Sequence, residues 1–184
     1  IYISYWLLLI TFLVALMIIV GGLTRLTDSG LSITRWDIIF GILPPLSLGD
    51  WEKSFTLYKQ IPEYKLLNSS MTLDEFKTIF WWEYIHRLLG RFIGLFYLVP
   101  LLYFTFKKVI KKNTFISLYI ILILIFLQGY IGWYMVKSGL TEKTDVSHYR
   151  LAIHLTLAFI IFILVLWNYL KYKNQQIFIH NNKL

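Results

Sequence analysis

The sequence predicts an all-α membrane protein: a polytopic four-helix bundle with one long, partly helical extracytoplasmic loop. Three observations predict it. Four stretches approach or exceed the roughly 20 mostly apolar residues that a membrane-crossing helix needs. Of the 184 residues, 58% are hydrophobic, and the mean hydropathy is +0.63, far above a soluble domain's apolar share. The net charge of +8 sits in basic residues at the ends of apolar runs, which is membrane orientation rather than a nucleic-acid surface. The 184 residues read as a single transmembrane domain.

The first helix is expected over about 2–23. The chain starts at Ile1, already inside an apolar run and without an initiator Met, which reads as a missing N-terminus or a fragment. The run to Val20 is too long for a signal-peptide core and has no small-residue cleavage pattern. Gly21-Gly22 and the hydroxyl residues after them are expected to break the helix and open the loop over about 24–79. Inside the loop, Pro44-Pro45 forces an extended turn. Leu48 to Tyr58 reads as a short amphipathic helix with Asp50 as its cap. Ser70 to Phe80 reads as another, with Thr72 and Glu75 spaced as a capping box. A connection this long is expected to fold over the outer mouth of the bundle. The remaining membrane helices are expected over about 80–104, 114–136 and 151–170.

Basic loops set the orientation. Lys107, Lys108, Lys111 and Lys112 lie in the second connection, and Lys171, Lys173 and Lys183 in the tail, with no acid among them. The first loop mixes six basic residues with seven acidic ones. The second connection and the tail are therefore expected in the cytoplasm, and the long loop and the 137–147 connection outside.

The chemistry gathers in Trp81-Trp82-Glu83-Tyr84-Ile85-His86-Arg87-Leu88-Leu89-Gly90-Arg91. Ionisable groups inside a membrane segment are costly and mark function. Glu83 and His86 are three apart and share a helix face, and Gly90 lies one turn further on, leaving bare backbone beneath the imidazole. His154 sits about as far into the fourth helix as His86 does into the second. At ~1.5 Å per residue both lie roughly 9 Å below the outer boundary. Two imidazoles at one depth on parallel helices suit the two axial positions of a heme iron. Arg25, Arg87, Arg91 and Arg150 are placed to meet its propionates. Each residue also has a plainer reading. A membrane histidine is often a hydrogen-bonding tie. Glu83 is either an acid/base group or a first-turn carboxylate, and Arg87 is its partner at i,i+4. Gln128 is an interhelical tie or a pocket-lining group. His148, at the mouth of the fourth helix, is interfacial or an alternative ligand. The absence of cysteine excludes disulfides, thiolate metal sites and iron–sulfur clusters.

These residues fall in an ordered set of motifs. The set comprises Gly21-Gly22-Leu23-Thr24-Arg25-Leu26-Thr27 with Ser29-Gly30-Leu31-Ser32, Pro44-Pro45, Pro62-Glu63-Tyr64 and Glu75-Phe76-Lys77. It continues with Trp82-Glu83-Tyr84, His86-Arg87 and Gly90-Arg91, then Gln128-Gly129 with Gly132 through Leu140, and Val146-Ser147 with Tyr149-Arg150 and His154-Leu155. With these the sequence resembles the heme A synthase family in its alpha-proteobacterial and mitochondrial form. The resemblance implies eight helices in two pseudo-symmetric halves, each with a histidine pair. It implies oxidation of the C8 methyl of heme O to the formyl of heme A, through successive hydroxylations, for cytochrome oxidase. It places His86 and His154 at the substrate heme, Glu83 at the acidic position implicated in the oxidation, and a heme b in a C-terminal half that is not here. It also implies a lipid bilayer, heme O, a heme O synthase and an electron donor as partners, with no nucleic acid, and it leaves room for a homo-oligomer. The expected location is the bacterial inner membrane ahead of the mitochondrial one. Two positions depart from the pattern: Asp28 stands where a small residue is expected, and His148 where Gln or Pro is. The alternative is a non-catalytic membrane bundle that binds or hands over heme.

Overall fold

The structure is a computed structural model. It describes residues 2–35, 42–142 and 144–181, apart from the side chains of 141, 142 and 175–181. Lys183 lies outside the described residues. The described chain is helical, without strands, in the order α1 (Tyr2–Leu26), α2 (Leu48–Tyr58), α3 (Pro62–Leu66), α4 (Leu73–Phe106), α5 (Lys112–Glu142) and α6 (His148–Asn181). Helices α1, α4, α5 and α6 are each long and apolar enough to cross a membrane, as expected of a multi-pass membrane protein.

Helices α4, α5 and α6 extend past both expected ends, and α1 past its C-terminal one. Gly21-Gly22 do not break α1, because its backbone bonds continue to Leu26, where the helix closes. There Asp28 donates its N–H to Arg25 O at 3.3 Å and Ser29 to Thr24 O at 3.0 Å, with Asp28 at φ 48°. That left-handed closing position usually takes glycine, which explains the small residue expected at 28; aspartate is among the side chains that tolerate it. The stretch 70–80 is not a separate helix but the first turns of α4. Its Thr72/Glu75 box is formed, with Thr72 N–H donating to Glu75 Oε2 at 2.7 Å and Glu75 N–H to Thr72 Oγ1 at 3.4 Å. At 34 residues α4 is about 50 Å long, against a hydrocarbon core of ~30 Å, so a helix that spans also projects. Asp50 is not the cap of α2. Ser47 is, and Asp50 closes the box from the third helical position. Helix α3, opened by Pro62 in its first turn, carries no periodic signal and was not expected. After Lys171 the chain stays helical to Asn181 instead of ending as a polar tail.

The chain divides into two compact units. The helical unit comprises 1–18, 90–129 and 154–184; the loop unit comprises 19–89 and 130–153. The helical unit buries one stripe per helix: Ile3, Leu7, Ile10 and Val14 of α1, Ile93, Tyr97, Leu101 and Phe104 of α4, and Leu157, Ile161 and Val165 of α6. The alternating three- and four-residue steps along α1 are those of a packed helix seam. Tyr5, Leu9 and Phe12, on its other faces, are exposed, as lipid-facing residues are.

Polar ties fix this unit. Pro100 lies inside α4 and has no N–H for the carbonyl of Phe96, one turn back. Trp6 Nε1 donates to that carbonyl at 2.8 Å. Tyr97 OH donates to Leu118 O at 2.9 Å, and Asn168 Nδ2 donates to Ser117 Oγ at 2.8 Å. The loop unit has an aromatic core instead. Leu31, Phe55, Tyr58, Ile61, Phe76, Phe80, Tyr84 and Val146 are all buried in it. Phe76 lies 5.0 Å from the Phe55 ring and 5.2 Å from the Tyr58 ring.

Candidate functional site

Glu83 is held inside the loop unit at 2% exposure. A carboxylate this deep needs donors on both oxygens, and it has them. Ser32 Oγ and Ile33 N–H each donate to Oε2 at 2.7 Å. Arg87 donates to Oε1 from Nε at 3.1 Å and from Nη2 at 2.5 Å. Arg87 Nη2 also donates to Ile33 O at 3.1 Å, so acid and base together strap the backbone after α1 onto α4. The expected i,i+4 pair is therefore present and buried, with side chains 3% and 10% exposed. Ser32 and Ile33 were not picked out as partners. Ser32 stood in a matched motif, but nothing in its spacing relates it to a residue 51 positions on.

His86 lies one turn further along α4. A Cβ added to Gly21 would sit 3.1 Å from His86 Nε2, so this glycine provides the room for the ring. Gly90 was expected to leave the bare patch; its own Cβ position is 3.2 Å from the Met17 methyl. Gly21→Val is expected to displace the imidazole and, if His86 ligates heme as the sequence leads one to expect, to weaken heme retention about tenfold or more. Titration of membranes with heme, followed in the visible spectrum, checks it.

His154 and Gln128 belong to the helical unit, and His86 to the loop unit. Gln128 Nε2 donates to His154 O at 3.0 Å, the interhelical tie expected of it. Gln128 Oε1 and His154 Nδ1 are buried without a hydrogen-bond partner. An imidazole nitrogen in that state has a lone pair or a proton still to place, which fits a group that ligates iron. The other expected cations are engaged. Arg25 pairs with Asp28 at 3.0 Å and lies 3.9 Å from Asp145. Arg150 donates to Tyr134 OH at 3.3 Å and lies over its ring. Arg91 is half-buried in the helical unit. His148 is exposed, 3.9 Å from Asp145, as an interfacial residue would be.

A second buried acid lies in the loop unit. Glu63, on α3, is 5% exposed and accepts from Tyr58 OH at 3.1 Å and from Asn68 Nδ2 at 3.5 Å. Burial pushes its carboxyl up to about 7; the Tyr58 bond opposes this, and the charges of Glu83, Asp28 and Asp145 add to it. A carboxyl raised on folding lowers stability as pH climbs, from the unfolded value through the folded one. The loop unit is thus expected to become more protease-sensitive between about pH 5 and pH 8, and Glu63→Gln to flatten that trend. Limited proteolysis across this range checks it.

The profile of the cytochrome oxidase assembly protein family matches residues 4–183. The chain is 58% identical over 168 residues to a protein named heme A synthase from Pelagibacter ubique, covering 90% of this chain and 49% of that one. Its identity to the heme A synthase of Bradyrhizobium diazoefficiens is 49% over 173 residues, covering 94% and 48% of the two chains. To that of Nitrosospira multiformis it is 53% over 165 residues, covering 90% and 46%. The chain spans about half the length of these relatives. No solved structure matches it. With the match running almost end to end through the motifs that hold Glu83, His86 and His154, the chain belongs to the cytochrome oxidase assembly protein family.

Proposed function

We propose that this chain is the N-terminal half of a heme A synthase, in which it holds heme O while the C8 methyl is oxidised to a formyl group. It would work in the bacterial inner membrane, with the loop unit on the extracytoplasmic side. The observation that carries this reading is the clamped Glu83 one turn from His86, whose ring rests against the bare backbone of Gly21. The named relatives, 49–58% identical, support it.

In this reading His86 and His154 supply the axial nitrogens for the substrate's iron. The free Nδ1 of His154 and the space at Gly21 fit that task. Arg25, Arg87, Arg91 and Arg150 supply cations for the propionates, and Gly90 and Gln128 line the pocket. Glu83 is the acid at the oxidised methyl, its orientation set by Ser32, Ile33 and Arg87. A heme b in the C-terminal half supplies electron transfer. Heme O synthase, as the source of the substrate, and a redox partner that exchanges electrons with that heme are the proposed partners.

The test is co-expression of the chain with the C-terminal half of the Pelagibacter relative, in cells that make heme O but no heme A. Heme A detected by mass in extracted membranes, and its loss in His86→Ala, is the expected result. Heme bound with a low-spin spectrum but never oxidised would replace the synthase reading with that of a heme-carrying bundle. An unchanged heme spectrum on titration would remove both.

A further inference from the structure

Two buried carboxyls of the loop unit stand in opposite surroundings. Glu83 accepts from four donor groups, one pair of them on a guanidinium. Glu63 has no cation. Among the described residues it makes no ion pair, and its contacts are a phenol and an amide. The charges that raise it, those of Glu83, Asp28 and Asp145, are all acidic. Of these, Glu83 is answered by Arg87, and Asp28 and Asp145 by Arg25. Glu63 is thus the member of this acidic group without a counter-charge, and it is more than nine-tenths buried. Tyr58, fully buried, joins it to the same aromatic core as Leu31, Phe80 and Tyr84. Burial without a counter-charge lets a carboxyl keep its proton to higher pH.

We propose that Glu63 is the proton-exchanging carboxyl of the loop unit, serving the methyl oxidation alongside the clamped Glu83. This rests on the synthase reading. Oxidising a methyl to a formyl releases protons as well as electrons. A one-electron heme centre in the C-terminal half, when bound, would pass those electrons to an external acceptor. The step given to Glu63 is a proton transfer only: its carboxylate takes up a proton released by the oxidation, becomes the neutral acid, and returns that proton to the aqueous phase. Tyr58 and Asn68 hold its Oε1 through both states. Burial places the change of state near neutral pH, where such a group works in both directions.

The experiment uses the co-expressed two-half protein in membranes. Infrared difference spectra should show a protonated-carboxyl band that titrates near neutral pH and is missing in Glu63→Gln. The same variant should bind heme O as the wild type does, yet form at least about tenfold less heme A. Tyr58→Phe removes a hydrogen bond that favours the anion. It should move the rising limb of the pH–rate profile up by roughly one pH unit, and it tests the proposal even if Glu63→Gln does not assemble. Undiminished heme A formation in Glu63→Gln overturns the proposal. A profile unmoved in Tyr58→Phe does too, since a purely structural knot would move neither. A wild-type protein that forms no heme A removes the synthase reading and this role with it, a separate outcome from an active wild type with indifferent variants.

Discussion

Replacing Arg87 with leucine is expected to destabilise the loop unit by about 3–5 kcal/mol, because it leaves the Glu83 charge buried and unpaired. The magnitude follows from burial. The two side chains are 10% and 3% exposed, so water does not take over the lost contacts. Arg87 also bonds Ile33 O, so its removal loosens the strap over Glu83 at the same stroke. Adding Glu83→Gln to Arg87→Leu should recover part of the loss, since the uncompensated charge is then gone. Thermal unfolding in detergent of the wild type, the single variant and the double variant measures this. If Arg87→Leu melts with the wild type, the buried pair is not what holds the segment. On the proposed function, the single variant also forms no heme A even where it still reaches the membrane.

Phe76→Ala should cost a similar amount, about 3–5 kcal/mol, through the cavity it leaves. Phe76 is fully buried, and its ring packs against Phe55, Tyr58 and Phe80, which come from α2 and α4. Tyr58 leans on it, and Glu63 leans on Tyr58. The expected signature is new cleavage within residues 48–72 on limited proteolysis, with Phe76→Leu cleaved far less. Equal protease resistance in Phe76→Ala and the wild type would mean that α2 is anchored by other contacts.

The four apolar spans were legible because a bilayer imposes one length and one composition on any helix that crosses it. The capping box at Thr72 and the Glu83–Arg87 pair were legible because both are local, three and four residues apart. Boundaries were read short. Gly21-Gly22 look like a stop, but the residues after them continue the backbone bonding to Leu26. The clasp of Ser32 and Ile33 on Glu83 was not legible, because no periodicity links residues half a hundred positions apart. Glu63 was hidden differently. A glutamate next to a helix-opening proline reads as an exposed first-turn acid, and only the folded aromatic core shows it buried.

The indole of Trp6 occupies the carbonyl that Pro100 leaves without a donor. In hydrocarbon no water stands ready to replace that bond. Lengthwise sliding of α1 past α4 would therefore strand both an N–H and a C=O, whereas turning about the contact keeps them joined. At that height the two helices form a pivot rather than a piston, and any working cycle that moves them should proceed by rocking.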